Sequence, residues 1–96
     1  MIKRIDIPEL ESLNRALVDN GSRIEGTQDK LEDVLINLER NEIDFKTGKI
    51  PKNAYSDIKR ALENSRDELI GKLNGQVREG LSNISKTREL IKKNKL

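Results

Sequence analysis

The chain contains no cysteine and no histidine. That excludes disulfides, a nucleophilic thiolate and the usual ligands of zinc or copper. General acid–base chemistry would fall to carboxylates, lysines or the single tyrosine, and these need a water-poor pocket to be tuned. Aromatic residues are only Phe45 and Tyr55, so bulky rings cannot fill a globular core. Proline is as scarce, at Pro8 and Pro51. No apolar run approaches the ~20 residues of a membrane-spanning helix. The opening residues also lack the apolar stretch of a signal peptide. The expectation is a soluble, cytoplasmic protein with no cofactor and no metal, and not an enzyme.

What the chain does hold is charge: 38% of its residues are charged and 33% are hydrophobic. Leucine and isoleucine carry most of the apolar content, among Glu, Lys, Arg and Asp, a composition suited to long amphipathic helices. Ninety-six residues make one domain, 1–96. The charge divides unevenly about the midpoint. Residues 1–45 hold six basic and eleven acidic side chains, and residues 46–96 hold thirteen basic and six acidic. The two halves should attract one another when folded back, although exposed pairs contribute only ~0–1 kcal/mol each.

The stretch that divides them is Phe45-Lys46-Thr47-Gly48-Lys49-Ile50-Pro51-Lys52-Asn53-Ala54-Tyr55. Gly48 can adopt the left-handed conformation that closes a helix. Pro51 opens the next helix with φ already set and no amide hydrogen to orphan. With Pro51 as cap, Ile50 and Tyr55 have the spacing of a hydrophobic staple. The reading is a helix over about 9–46, a turn over 47–51 and a second helix over about 52–93.

Before the turn a seven-residue repeat runs through Leu10, Leu17, Ile24, Leu31, Leu38 and Phe45. The companion row is Leu13, Asn20, Thr27, Val34 and Asn41, three of them polar. Polar seam residues in coiled coils restrict register and oligomer state at a cost in stability. Asp19-Asn20-Gly21 is turn-like and Ser22 with Glu25 forms a capping box, so a kink or interruption near Gly21 is the competing reading. The carboxylates Asp29, Glu32, Asp33, Glu39 and Glu42 lie off the apolar stripe and read as a solvated face.

After the turn the spacing changes. Leu62, Leu73 and Ile84 step by eleven, as do Ile58, Leu69, Gly80 and Ile91, a period that winds nearly straight. Gly71 and Gly75, four apart on one face, either admit a close helix contact or loosen the helix. The final turns carry Lys86, Arg88, Lys92, Lys93 and Lys95 against Glu89. Cations suit a helix C-terminus, and a small basic patch there could also contact nucleic acid or an anionic membrane surface.

At residues 38–62 the pattern Leu38-Glu39, Phe45, Gly48, Ile50, Tyr55, Lys59, Leu62 resembles the SHOCT-type short helical hairpin. It departs from that pattern at Pro51, Lys52 and Asn53. The resemblance implies a turn and self-association, and no activity.

The expected fold is all-α: a long antiparallel helical hairpin, coiled-coil-like, dimerised into a four-helix bundle. A break near Gly21 would give a three-helix bundle instead. The expected function is a structural or protein-interaction module that pairs with itself or with another helical protein. The alternative is a weak binder of nucleic acid or anionic membrane surfaces through the basic ends. The packing or oligomer seam should comprise Leu10, Leu17, Ile24, Leu31, Leu38 and Phe45 with Ile58, Leu62, Leu69, Leu73, Ile84 and Ile91, and the turn Gly48, Ile50, Pro51 and Tyr55.

Overall fold

The computed structural model describes residues 7–93 as two α-helices joined by a short turn, α1 over Ile7–Lys46 and α2 over Lys52–Lys93. The fold is an all-α helical hairpin. α1 begins with Pro8 and Glu9 in its first turn, where a missing amide hydrogen is harmless and an acid meets the positive end of the helix dipole. It runs unbroken through Gly21 and Gly26, so the break on which the three-helix alternative rests is absent. Its packed face contains side chains both before and after Gly21, and tertiary packing outweighs a local turn preference.

The turn follows from Gly48. Its φ of 76° lies in the left-handed region. There the Gly48 amide donates to the Phe45 carbonyl at 3.1 Å and the Lys49 amide to the Asp44 carbonyl at 2.8 Å. These are the two bonds of a Schellman cap, which satisfy carbonyls that the end of α1 would otherwise orphan. The Thr47 hydroxyl donates to the Ile43 carbonyl at 2.8 Å. Pro51 then caps α2, accepting from the Tyr55 amide at 3.0 Å.

The chain forms two compact units, one of residues 1–25 with 74–96 and one of residues 26–73. In each, a length of α1 packs against a length of α2. Along α1 the inward residues alternate by three and four, from Leu10 and Leu13 to Asn41 and Phe45. The deepest are not the leucines. Asn20 and Thr27 are 3% exposed and Asn41 is 5% exposed, all in the polar companion row. Among the described residues the one buried hydrophobic side chain is Leu90, at 9%.

Two hydrogen bonds explain how amides occupy that row. In the first unit, the Asn20 carboxamide donates from Nδ2 to the Gln76 carbonyl at 2.7 Å. In the second, Asn41 donates from Nδ2 to the Tyr55 carbonyl at 3.1 Å. A helical carbonyl has a second lone pair free after its own i+4 bond, so the helix stays intact. The spacings agree: 20 to 41 on α1 and 55 to 76 on α2 are both twenty-one residues, three heptads. Gly80 makes the first bond possible. A Cβ there would collide with Asn20 Oδ1, because the side chain at i+4 leans over the preceding turn and would cover the Gln76 carbonyl.

This pairing corrects the reading of α2. Its inward rows are Tyr55, Leu62, Leu69, Gln76, Asn83, Leu90 and Lys59, Arg66, Leu73, Gly80, Thr87, a repeat of seven and not eleven. A helix that stays in contact with a heptad partner must share its 3.5-residue period. Leu62, Leu69 and Leu73 are half-buried as a result, while Ile58, Ile84 and Ile91 are exposed and stand outside the intramolecular seam. Gly71 and Gly75 make no close helix contact either, since nothing lies within 4 Å of a Cβ at either position. The close approach is at Gly80.

Two stability measurements follow. Gly48→Ala should lower the unfolding free energy by ~1 kcal/mol through its left-handed φ, whereas Gly71→Ala, in a helix interior with open space, should raise it by ~1 kcal/mol. Urea midpoints would show the opposite signs. In a double-mutant cycle, Gly80→Ala should stabilise an Asn20→Ala background by ~1 kcal/mol and fail to stabilise the unmodified chain, a coupling of ~1–2 kcal/mol.

Candidate interaction surface

The two sides of the first unit differ in chemistry. On one, Leu17 from α1 and Ile84, Thr87, Arg88, Ile91 and Lys92 from α2 line an almost wholly apolar groove. It continues past Leu10, Glu11 and Asn14. On the other side seven of the nine lining residues are polar or charged, Glu9, Ser12, Ser85, Lys86, Glu89, Lys92 and Lys93, with Leu13 and Leu90 between them. That polar side also holds the bridge between Arg23 and Glu79 at 3.1 Å.

The apolar side has a sequence origin. Ile70, Val77, Ile84 and Ile91 recur every seven residues on α2, in the row beside Leu73, Gly80 and Thr87. All four are exposed. In the same row Ser56 and Glu63 are polar. The α1 residues Leu10, Leu17, Ile24, Leu31, Leu38 and Phe45 are half-buried: each touches the seam and leaves one flank wet.

The basic residues near the end of α2 do not share one face. Lys86 and Lys93 line the polar side with Glu9 and Glu89, Arg88 lines the apolar groove, and Lys92 reaches both. Lys95, with Lys3 and Arg4, lies outside the described residues. Among the described residues no three carboxylates are grouped to hold a metal ion. Asp29, Glu32, Asp33 and Glu39 are exposed.

The second unit contains one tightly organised cluster, beside the turn. Phe45 and Tyr55 stack with ring centroids 4.3 Å apart and planes 12° from parallel. The Tyr55 hydroxyl donates to Glu42 Oε1. Lys59 Nζ donates to the Tyr55 hydroxyl at 3.3 Å and lies 3.8 Å from Glu42 Oε1. Its ammonium is also 5.6 Å from the Tyr55 ring centroid, within cation–π range. The hydrogen bond from Tyr55, helped by Lys59 and Lys46, holds the Glu42 carboxyl below the ordinary 4.5 against the opposing effect of burial. Tyr55 and then Glu42 raise Lys59 above its ordinary 10.5. Gly48, Ile50, Pro51 and Tyr55 thus stand at a structural corner, with Glu42 and Lys59 added to it. Sequence spacing shows Lys59 one turn after Tyr55, but not that Glu42 arrives from the other helix.

A carboxyl depressed by folding stabilises the folded state above its unfolded pKa, and that contribution disappears as pH falls through the lower folded value. The thermal midpoint of the unmodified chain should therefore drop further between about pH 6 and about pH 3 than that of Glu42→Gln. Circular dichroism melts of the two proteins measure the difference. Equal drops would mean that Glu42 is not linked to folding.

No family model, curated protein or solved structure matches this chain, so the surface is read on its own chemistry.

Proposed function

We propose that the chain is a structural and protein-interaction module that self-associates through its helical surfaces, as a homodimer with a four-helix bundle at its centre. The observation that carries this reading is the lack of a dry core. Among the described residues no large side chain is fully buried, while Val18, Leu35, Ile36, Ile43, Ile70, Val77, Leu81, Ile84 and Ile91 are exposed. Apolar surface left in water forgoes ~25 cal/mol per Å² of burial, and two helices alone cannot recover it. The accessible surface is 7534 Å². A monomer of 11.0 kDa ordinarily exposes ~5,600 Å². The surplus exceeds the ~800 Å² that each partner contributes to a standard interface.

The SHOCT-like pattern at residues 38–62 points the same way, towards self-association without catalysis. Binding of nucleic acid or an anionic membrane through Lys86, Arg88, Lys92 and Lys93 has less support. Those cations divide between two sides, and three of them, Lys86, Lys92 and Lys93, stand beside Glu9 and Glu89.

Size-exclusion chromatography with light scattering tests the proposal. At high micromolar concentration the mass should be twice 11.0 kDa, and the thermal midpoint should rise with concentration. A mass of 11.0 kDa throughout that range, with a concentration-independent midpoint, overturns it.

A further inference from the structure

The homodimer just proposed leaves open which face pairs and in what orientation. We infer that a second copy covers the apolar side of the first unit, with α1 of one copy lying along α2 of the other. This rests on the self-association reading and makes it specific.

The face is defined by Leu10, Leu17 and Ile24 on α1 and Val77, Ile84 and Ile91 on α2. Its floor is the groove between Leu17, Ile84 and Ile91. The two lips carry opposite charge. On the α1 lip Glu11 and Glu25 follow Leu10 and Ile24 by one residue, and Arg15 stands a row further from the groove. On the α2 lip are Arg78, Arg88 and Lys92. All six of these charges are exposed, and among the described residues none is held in an ion pair within the chain. The polar side, by contrast, already closes on itself through Arg23 and Glu79.

A face with one acidic and one basic lip complements a rotated copy of itself. Two copies meeting face to face about a twofold axis can stack α1 on α1 or α1 on α2. Stacking like on like brings Glu11 and Glu25 towards their own copies, and Arg78 and Arg88 towards theirs. An axis running along the helices instead places each acidic lip over the partner's basic lip and avoids like-charge repulsion.

The same operation accounts for the two large apolar residues that are most exposed among the described residues. Val18 is 64% exposed and Leu81 61% exposed, one on each lip. The pairing of Asn20 with Gln76 and Gly80 sets the level at which residues of α1 and α2 face each other. At that register Val18 of one copy stands beside Leu81 of the other. Glu11 stands beside Arg88 and Lys92, and Glu25 beside Arg78. The occupant is a second copy because the lips match in charge and in apolar position.

The absence of native cysteine permits a direct test. Full-length Val18→Cys and Leu81→Cys chains are prepared separately, mixed and oxidised gently, and disulfide products are identified by mass spectrometry. The mixed 18–81 disulfide should exceed either homodisulfide by about tenfold. Homodisulfides in equal or greater yield would overturn the orientation. In a second arm, Glu11→Lys with Glu25→Lys should raise the dimer dissociation constant at least about tenfold in low salt. Adding Arg78→Glu, Arg88→Glu and Lys92→Glu to that chain should restore it. These side chains are exposed, and circular dichroism verifies that helicity is kept. Stacking of α1 on α1 would leave the first of these variants undiminished, and that result sinks the inference. If light scattering still reports a dimer in either failing case, self-association survives and only the face is wrong. If the unmodified chain is monomeric, both fall.

Discussion

The hairpin depends on an amide side chain of one helix hydrogen-bonding a main-chain carbonyl of the other. Asn20 and Asn41 each reach a carbonyl on α2 that already serves its own helix. An apolar seam could slide by a heptad with little penalty, because leucine replaces leucine. A carboxamide displaced from its carbonyl would be buried without a partner, at a cost of ~1–3 kcal/mol. The clamp also requires Gly80 opposite Asn20. Two such contacts with equal spacing on both helices admit one register. Even so, the arrangement is not fully satisfied: Asn41 Oδ1 and Gln76 Oε1 are buried with no hydrogen-bond partner in the structure. These polar groups do more for uniqueness of pairing than for stability.

With amides at the deepest points of the seam, the outer apolar rows stay partly in water. Leu10, Leu17 and Ile24 are half wet, and the Val77, Ile84 and Ile91 row is wetter still. This is why the functional reading concerns surfaces. The turn end differs in kind. Its stacked rings and the Glu42–Tyr55–Lys59 cluster fasten the corner, although Ile43 and Ile58 nearby stay exposed.

Much of this was legible in the sequence, for reasons that can be named. Gly48 and Pro51 carry backbone preferences that hold in any surroundings, and they place the turn correctly. The heptads of Leu10 through Phe45 mark a packed row because large apolar side chains repeat in phase. Asn20, Thr27 and Asn41 are visible as polar members of that repeat, but hydropathy cannot tell a register device from an exposed edge. The period of α2 was hidden outright, because its inward rows include Lys59, Arg66, Gln76, Gly80 and Asn83. The eye follows Ile58, Ile84 and Ile91, which are outside the seam. Projecting the α1 heptad through the turn onto α2 would have found the inward rows. The role of Gly80 could not have been read at all, since it exists only opposite Asn20.

The polar clamps and the apolar flank occupy different rows of the same helices. Mutations that alter Val77, Ile84 or Ile91 leave the amide bonds of the hairpin untouched, and mutations at Asn20 or Gly80 strike the pairing without altering the outer stripe. Selection can therefore retune what adheres to the molecule while its internal alignment is preserved. A lineage of such hairpins could diverge in companionship long before it diverged in architecture.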